Sequence, residues 1–408
     1  MKPELLFLAH RIPYPPDRGD KIRSWHVLRH LGQFATIHLA CFADDEADAA
    51  HLPALREAMG GSLGEAFVTP IRANKLLWLA KAYTQRLTIN EAAMSSAGLQ
   101  HFVERIAAER PIAGIYAFSV QMARFVPASF RRPFVMDFVD FDSAKYADYA
   151  RAGGFPNRLV YEREARKMFA LERATAARAD VSLFVSEAEA ALFRAEAQLP
   201  LADIRAMSNG IDLDFYNPSA SFPPIDPPRP PVIVFTGQMD YRPNVEAVQA
   251  FARNVMPTIR KAYDARFAIV GRRPDPAVQA LHGKDGVIVT GEVPDVRPWL
   301  AAASVVVAPL TIARGIQNKV LEAMAMGRPV VASNGAFEGI DAVPGRDLVV
   351  AESAAEQFDA ILTLWEEPEQ AVAMGKAARQ RMIDHYSWEA QLAPLAAMFG
   401  LDGQKAAA

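Results

Sequence analysis

Short apolar runs rich in Val, Ile and Phe alternate along this chain with longer segments whose apolar positions follow a helical period. That alternation predicts parallel sheets covered by helices. In the first half the strand-like runs are 5–9, 36–42, 66–69, 112–117, 134–137 and 181–186. In the second half they are 232–237, 266–271, 287–290, 304–309, 329–333 and 348–351. Each half therefore reads as a doubly wound α/β domain.

Between the halves, Pro218, Pro223, Pro224, Pro227, Pro228, Pro230 and Pro231 crowd into one stretch, where fixed φ angles and missing N–H donors exclude a helix or a central strand. The expected division is an N-terminal domain over 1–211, a Pro-rich linker over 212–231 and a C-terminal domain over 232–379. The segment 370–399 is helical by pattern, and a helix over 380–400 is long enough to cross back and complete the first domain. Two such domains on one hinge leave a cleft for the carboxyl ends of both sheets, where ligands of parallel sheets bind.

The 408 residues exceed what one core supports and fit two domains of about 100–200 residues each. Lys and Arg number 44 against 47 Asp and Glu, a net charge of −3, so no global positive field draws the chain to nucleic acid. The single cysteine, Cys41, excludes internal disulfides and thiolate zinc sites and fits a reducing compartment. The apolar run 5–9 is too short for a signal peptide, and no stretch reaches the ~18–20 apolar residues that span a bilayer. The expected location is cytoplasmic, with any membrane contact peripheral and at the inner face of the cytoplasmic membrane.

Residues 305–332 carry the most chemistry. A buried strand ends at Pro309, a loop containing Gly315 follows, a helix is expected to open near Asn318 and close at Gly327, and a second buried strand comes next. A loop feeding a helix N-terminus offers free backbone N–H groups and the positive end of the helix dipole, which suit a phosphate. Lys319 and Glu322, three apart, share one face of that helix. The ammonium can meet a diphosphate while the carboxylate, one turn deeper, accepts hydrogen bonds from two ribose hydroxyls. The plainer alternative is an i,i+3 surface pair worth ~0.2–0.5 kcal/mol.

The run 319–331 resembles the donor-site helix of the group 1 (family 4) retaining glycosyltransferases of GT-B fold. Further segments agree in order: Ser208 to Asp212 with Phe215 and Pro218, Phe235 to Met239 with Pro243 and Asn244, Val270 and Gly271, 290–295, and Tyr386 to Trp388. The stretch 13–23 is similar to a narrower bacterial group, the sugar transferases of exopolysaccharide loci and PEP-CTERM (exosortase) systems. The resemblance implies two Rossmann-like domains facing across a cleft, a nucleotide diphosphate sugar as donor, a glycan or lipid-linked acceptor, and no metal cofactor. Carried over by position, the donor-binding set is Gly19, Gly237, Arg242, Gly271, Gly291, Val293, Gly315, Ile316, Gln317, Asn318, Lys319 and Glu322. Arg314 stands where the family usually has an acidic residue, eight positions before Glu322, and joins Lys319 as a candidate for stabilising charge on the diphosphate. After the first strand of the second domain, where the family has an Arg/Lys pair, only Arg242 is found.

On the acceptor side, Asp17, Arg18, Asp20 and Lys21 follow the strand 5–9 and precede a helix expected over 22–31, with Gly19 allowing close backbone approach. The plainer alternative is an ordinary capped turn with solvated charges. Family members often carry a histidine after the fourth or fifth strand; residues 115–119 have none, and Asp137 and Asp140 are the substitutes, Asp140 being the third catalytic candidate. The acid-any-acid triplets at 140–142 and 212–214 resemble a metal motif but read more simply as a helix N-cap at Asp142 and a linker turn. His26 and His30 lack the glutamate and third ligand of a zinc protease. Residues 71–87 set Arg72, Lys75, Lys81 and Arg86 beside Leu76, Leu77, Trp78, Leu79 and Tyr83, which suits an anionic membrane surface or an ordinary half-buried helix.

The expected activity is sugar transfer with retention, in exopolysaccharide or cell-surface glycan synthesis. The alternatives are a GT-B nucleotide-sugar epimerase or hydrolase and a noncatalytic nucleotide-sugar sensor. A nicotinamide dehydrogenase is disfavoured because no Gly-x-Gly-x-x-Gly follows the first strand of either half.

Overall fold

The computed structural model describes residues 2–71, 74–152, 154–225, 232–310 and 316–402. The chain divides into two compact units, Met1–Asn209 with Gln391–Ala408, and Gly210–Ala390. Residues 226–231 of the proline-rich stretch lie outside the described residues.

The first unit is built on the strands β1 (Glu4–Ala9), β2 (Thr36–Ala43), β3 (Leu63–Pro70), β4 (Ile112–Phe118), β5 (Phe134–Val139), β6 (Val181–Phe184) and β7 (Ile204–Ala206). Among the described residues they form one parallel sheet in the order β3-β2-β1-β4-β5-β6-β7. The second unit holds β8 (Val232–Thr236), β9 (Arg266–Val270), β10 (Val287–Gly291), β11 (Val305–Ala308), β12 (Val330–Ala332) and β13 (Val349–Val350), ordered β10-β9-β8-β11-β12-β13. Every apolar run read from the sequence becomes a strand, because helices cover both faces and each position of a central strand is buried. Strand β7 escaped that reading: it is three residues long, and Arg205 and Ala206 are exposed.

Each sheet reverses direction of strand order once, between β1 and β4 in the first unit and between β8 and β11 in the second. At such a point the loops leaving the carboxyl ends diverge to opposite faces and leave a crevice between them. In the second unit the crevice rests on a core in which Phe235, Phe251 and Phe267 are fully buried, with the last two rings 4.7 Å apart. Burying each ring contributes on the order of 1.5–3 kcal/mol.

The C-terminal segment is not the single helix expected over 370–399. A helix Pro368–Arg381 widens into a π-helical turn at Met382–Tyr386, the backbone extends at Ser387, and short helices follow at Trp388–Leu392 and Ala397–Phe399. The break has local causes. The Tyr386 carbonyl accepts from the Ile211 N–H at 2.7 Å, and the Ser387 hydroxyl accepts from the Ala390 N–H at 3.0 Å as a cap. Gly210 lies flat against this turn, where a Cβ would stand 2.5 Å from Trp388 Cα. Beyond the break the chain joins the first unit, and the buried Phe399 ring packs on Gly114 of β4 so closely that a Cβ there would fall 2.3 Å from it.

This contact is testable by a double-mutant cycle. Gly114→Ala overpacks the site and is expected to destabilise the first unit by about 1–3 kcal/mol, with part of that loss recovered when Phe399 is also truncated to Ala. Urea unfolding of the four proteins reads the coupling; strict additivity would show that the tail does not rest on β4.

Candidate functional site

The carboxyl ends of β8, β9 and β10 and the helix Asn318–Ala325 after β11 surround a cavity of about 680 Å³ in the second unit. Its floor depends on two glycines. Gly237 follows β8 and Gly271 follows β9, and a Cβ on Gly271 would lie 1.6 Å from the Gly237 carbonyl oxygen, so only glycine permits the two turns to touch. A Cβ on Gly237 would stand 2.9 Å from Asn244 Nδ2 and 3.3 Å from Lys319 Nζ. The absent side chains are what let Lys319 reach the floor.

The helix Asn318–Ala325 opens on Gln317, whose backbone is extended and whose side chain makes no capping hydrogen bond. The first-turn N–H groups thus face the cavity end of the helix with its positive dipole. Its closing glycine, Gly327, takes a left-handed φ of +62°. Lys319 Nζ donates to Asn244 Oδ1 at 2.5 Å and lies 4.2 Å from the centroid of the Phe235 ring. Among the described residues no carboxylate stands within ion-pair distance of it. Burial pulls its pKa from 10.5 down to about 8, against a smaller opposite pull from the Glu322 charge. Asn244 is itself fixed, donating through Nδ2 to the Gln238 carbonyl at 2.8 Å.

One turn along, the Glu322 carboxylate faces the Tyr216 hydroxyl. Burial raises the Glu322 pKa, with Tyr216 and Lys319 acting in the opposite direction. Burial and the neighbouring carboxylate raise that of Tyr216. One phenol does not exhaust the lone pairs of a carboxylate, so Glu322 keeps acceptor capacity for hydroxyls. Thr236, at the end of β8, lines the same cavity, and its buried hydroxyl has no hydrogen-bond partner among the described residues. At the rim, Arg272 Nη2 donates to Gln238 Oε1 at 3.2 Å.

Of the donor-side residues singled out from the sequence, the cavity gathers Gly237, Gly271, Val293, Ile316, Gln317, Asn318, Lys319 and Glu322. Gly291 is set back, with its carbonyl accepting from the Gly271 N–H at 3.2 Å. Arg242 points away: it sits in the first turn of the helix Arg242–Asn254, its side chain 87% exposed and paired with Glu246 at 2.7 Å. The arginine at the cavity is Arg272, after β9. Arg314 and Gly315 lie outside the described residues. Sequence reasoning missed Tyr216, Tyr241, Arg272 and Val296 as cavity residues, and Thr236, Gln238, Asn244, Val270 and Glu292 lay in the segments of resemblance without being assigned to the site.

In the first unit, the helix after β1 begins at Gly19, earlier than expected, and runs to Phe34. Arg18, Asp20 and Asp140 line a smaller cavity of about 360 Å³ at the carboxyl ends of β1, β4 and β5. Asp17 and Gly19 are exposed beside it, whereas Lys21 turns inward and is buried, donating to Asp48 Oδ1 at 2.5 Å. Asp137 is also buried, bound by Arg23 at 2.8 and 3.1 Å and by the Tyr116 hydroxyl. The helix Lys75–Thr84 leaves Leu76, Leu77, Leu79 and Tyr83 exposed. Arg72 lies outside the described residues, and no described helix is long and apolar enough to cross a membrane.

Residues 230–367 match the sequence model of the family described as glycosyl transferases group 1. The matched segment holds β8 to β13 and, apart from Tyr216, every residue of the cavity. No curated protein matches the chain. Among solved structures it is similar to the sucrose-phosphate synthase of Thermosynechococcus elongatus, at 17% identity and a TM-score of 0.60, over 98% of both chains. It is also similar to Anabaena HepE in complex with UDP, at 16% identity and 0.59, over 97% of this chain and 98% of that one. A glycosyltransferase from Rickettsia africae gives 13% identity and 0.61, over 99% and 100%. The two parallel-sheet units thus have the GT-B fold of glycosyltransferases.

The depressed pKa of Lys319 sets a pH dependence of stability. Between about 8 and its ordinary 10.5 the unfolded chain binds more protons at this site than the folded one, so its burden on stability is full below about 8 and lifts as pH rises toward 10.5. Lys319→Met carries no such charge. The variant is expected to exceed the wild type in stability at about pH 7, and urea unfolding from about pH 7 to 10 should show the gap narrowing; a constant gap would contradict the depressed value.

Proposed function

We propose that this protein transfers a sugar from a nucleotide diphosphate donor to an acceptor hydroxyl, with the diphosphate held in the second-unit cavity. The observation that carries the reading is the buried ammonium of Lys319, lacking an ion pair among the described residues, in the first turn of a helix inside the segment that matches the glycosyltransferase family. An anion placed there gains the hydrogen bonds of the ammonium and of first-turn N–H groups at once. Glu322 and Thr236 supply acceptors and a donor for the ribose and phosphate hydroxyls and oxygens. The UDP in the HepE structure supports a uridine nucleotide as the first to try.

In this reading the barrier lies in separating an anionic nucleotide from a sugar that gains positive charge at its anomeric carbon. Lys319 and the helix N-terminus stabilise the departing diphosphate without rearrangement, a preorganised electrostatic contribution of several kcal/mol. Arg314 would add a second cation, and no metal is then needed for that role. Retention of configuration and a place in exopolysaccharide synthesis rest on the family-4 and exosortase-system resemblance. A lipid-linked acceptor at the inner face of the membrane fits the exposed Leu76, Leu77 and Tyr83. Asp140 is retained as the catalytic candidate of the first unit, with Asp17, Arg18, Asp20 and Lys21 on the acceptor side.

Calorimetry with UDP, GDP and ADP tests the site. Lys319→Ala should weaken the preferred nucleotide at least about tenfold, or 1.4 kcal/mol, with Glu322→Gln weakening it through the ribose; wild-type affinity in both variants would remove the cavity from the mechanism. In a transfer assay EDTA should leave the rate intact, and the product anomer read by NMR should match that of the donor. Loss of activity restored by magnesium would overturn the metal-free reading.

A further inference from the structure

Residues 212–217 read from the sequence as a linker turn, yet in the second unit their backbone is bound on both sides. Asp212 takes the N–H groups: its Oδ1 accepts from Asp214 at 3.1 Å and from Phe215 at 2.9 Å, and its carbonyl accepts from Tyr216 at 2.8 Å. Two arginines from separate helices take the carbonyls. Arg297, in the helix Arg297–Ala302, donates to the Phe215 carbonyl at 3.0 Å, and its guanidinium carbon lies 3.8 Å from the centroid of the Phe215 ring. Arg379, in the helix Pro368–Arg381, donates to the carbonyls of Tyr216 at 2.7 Å and Leu213 at 3.4 Å. An ordinary surface connector leaves such groups to water, whereas here side chains bind them.

Arg379 reaches further. Its Nη1 also donates at 2.5 Å to the carbonyl of Ala325, the last residue of the helix Asn318–Ala325 that carries Lys319 and Glu322. That carbonyl is among those a helix end leaves without an intrahelical partner. One guanidinium thus joins the turn that carries Tyr216 to the helix that carries Glu322. All its described hydrogen bonds go to backbone carbonyls, and burial lowers its pKa, with the Asp214 charge acting the other way. A lysine cannot span the three, since it offers a point charge on a flexible stem in place of a planar fork.

What the turn delivers to the second-unit cavity is one side chain. Tyr216 lines the cavity, its hydroxyl faces the Glu322 carboxylate, and its ring packs edge-on against Phe215 at 5.0 Å and 85°. A tyrosine has only two side-chain torsions, so a fixed backbone and a fixed neighbouring ring leave the phenol little freedom to lose on binding. The two groups differ in kind: an ionised carboxylate only accepts, whereas a phenol both donates and accepts. Side by side they complement a vicinal diol, one hydroxyl donating to Glu322 while its neighbour pairs with the phenol. Tyr216 lies outside residues 230–367, so the match to the glycosyltransferase family does not assign it.

We propose that Tyr216 is a nucleotide-binding residue that sets a preference for ribose over deoxyribose, and that Arg379 is the positioning residue that holds it beside Glu322. The proposal deepens the transferase reading and rests on it in taking the ligand of this cavity as a nucleoside diphosphate. A site built to bond a hydroxyl rejects the analogue that lacks it, because a polar group of the protein is then left without its partner. The diphosphate is met by Lys319 instead, so recognition of the sugar and of the phosphates can be read apart.

The test is calorimetry on the full chain with whichever of UDP, GDP and ADP binds most tightly, with its 2′-deoxy and 3′-deoxy forms, and with inorganic pyrophosphate. The wild type is expected to bind the parent nucleotide at least about tenfold more tightly than one of the deoxy forms. Tyr216→Phe keeps the ring and removes the hydroxyl. It should cut that preference to about threefold or less by weakening the parent and not the deoxy form, with pyrophosphate affinity within about threefold of the wild type. Arg379→Lys, at a residue that touches no ligand in this reading, should narrow the preference in the same direction. Equal wild-type affinity for parent and deoxy forms, a full preference in Tyr216→Phe, or an equal loss for pyrophosphate would each overturn the role of Tyr216. A wild-type preference in Arg379→Lys would overturn that of Arg379. Should that variant not fold, ¹⁵N-arginine spectra of the wild type decide: separately resolved, slowly rotating Nη groups at Arg379 support the clamp, and a freely rotating guanidinium overturns it. No nucleotide binding by the wild type would defeat the transferase reading together with this one, whereas tight binding with an unaltered preference in Tyr216→Phe defeats this one alone.

Discussion

A primary ammonium withdrawn from water, with a neutral amide and an aromatic face against it, is the constraint around which the second unit is arranged. Burial disfavours the charge on Lys319, and so does its place in the first turn of a helix, at the positive end of the dipole. The Phe235 ring and Asn244 Oδ1 offset part of that cost. A bound anion would reverse the sign of both penalties, since burial strengthens an ion pair and the dipole favours negative charge. The geometry that creates the problem comes from backbone contact: Gly237 and Gly271 touch because neither has a Cβ, and the space above them is where the lysine lies.

The first unit meets an analogous demand by other means. At the smaller cavity its described cations, Arg11 and Arg18, are answered by Asp20 and Asp44, and Ser119 and Val139 hold backbones of positive φ. Both arrangements sit at the reversal of strand order in their own sheet, where β1 and β4 part in one and β8 and β11 in the other.

The strands were legible because burial on both faces demands unbroken apolar runs, and such runs need no knowledge of their neighbours. The edge strand β7 was not, since a three-residue edge with Arg205 at its centre has no such pattern. The break at Ser387 was hidden because it depends on the Ile211 N–H, far away in sequence, and on the bare backbone of Gly210. Lys319 and Glu322 could be paired from spacing alone, as helical neighbours can be. Their partners could not: Asn244 and Tyr216 come from other elements, 75 and 106 residues away respectively (322 − 216 = 106). Arg242 was the natural candidate by its position after β8, but the first turn of its helix directs it outward to Glu246, while Arg272 reaches the rim from β9.

Lys319 and Glu322 also show why such a site must be read as a pair and not as two residues. Burial pushes the ammonium pKa down and the carboxylate pKa up, so each would shed its charge if left alone, and each is held charged in part by the other one turn away. Neutralising either removes that support and shifts its neighbour further from its ordinary value. With Lys319 near 8, the pair keeps its ammonium protonated around neutral pH with little to spare. A phosphate oxygen at Nζ would widen that margin by raising the ammonium pKa, which in turn favours the ionised carboxylate that accepts hydroxyl hydrogen bonds. Diphosphate and ribose would therefore bind cooperatively through two residues of one helix, because the charge that receives the first stabilises the charge that receives the second.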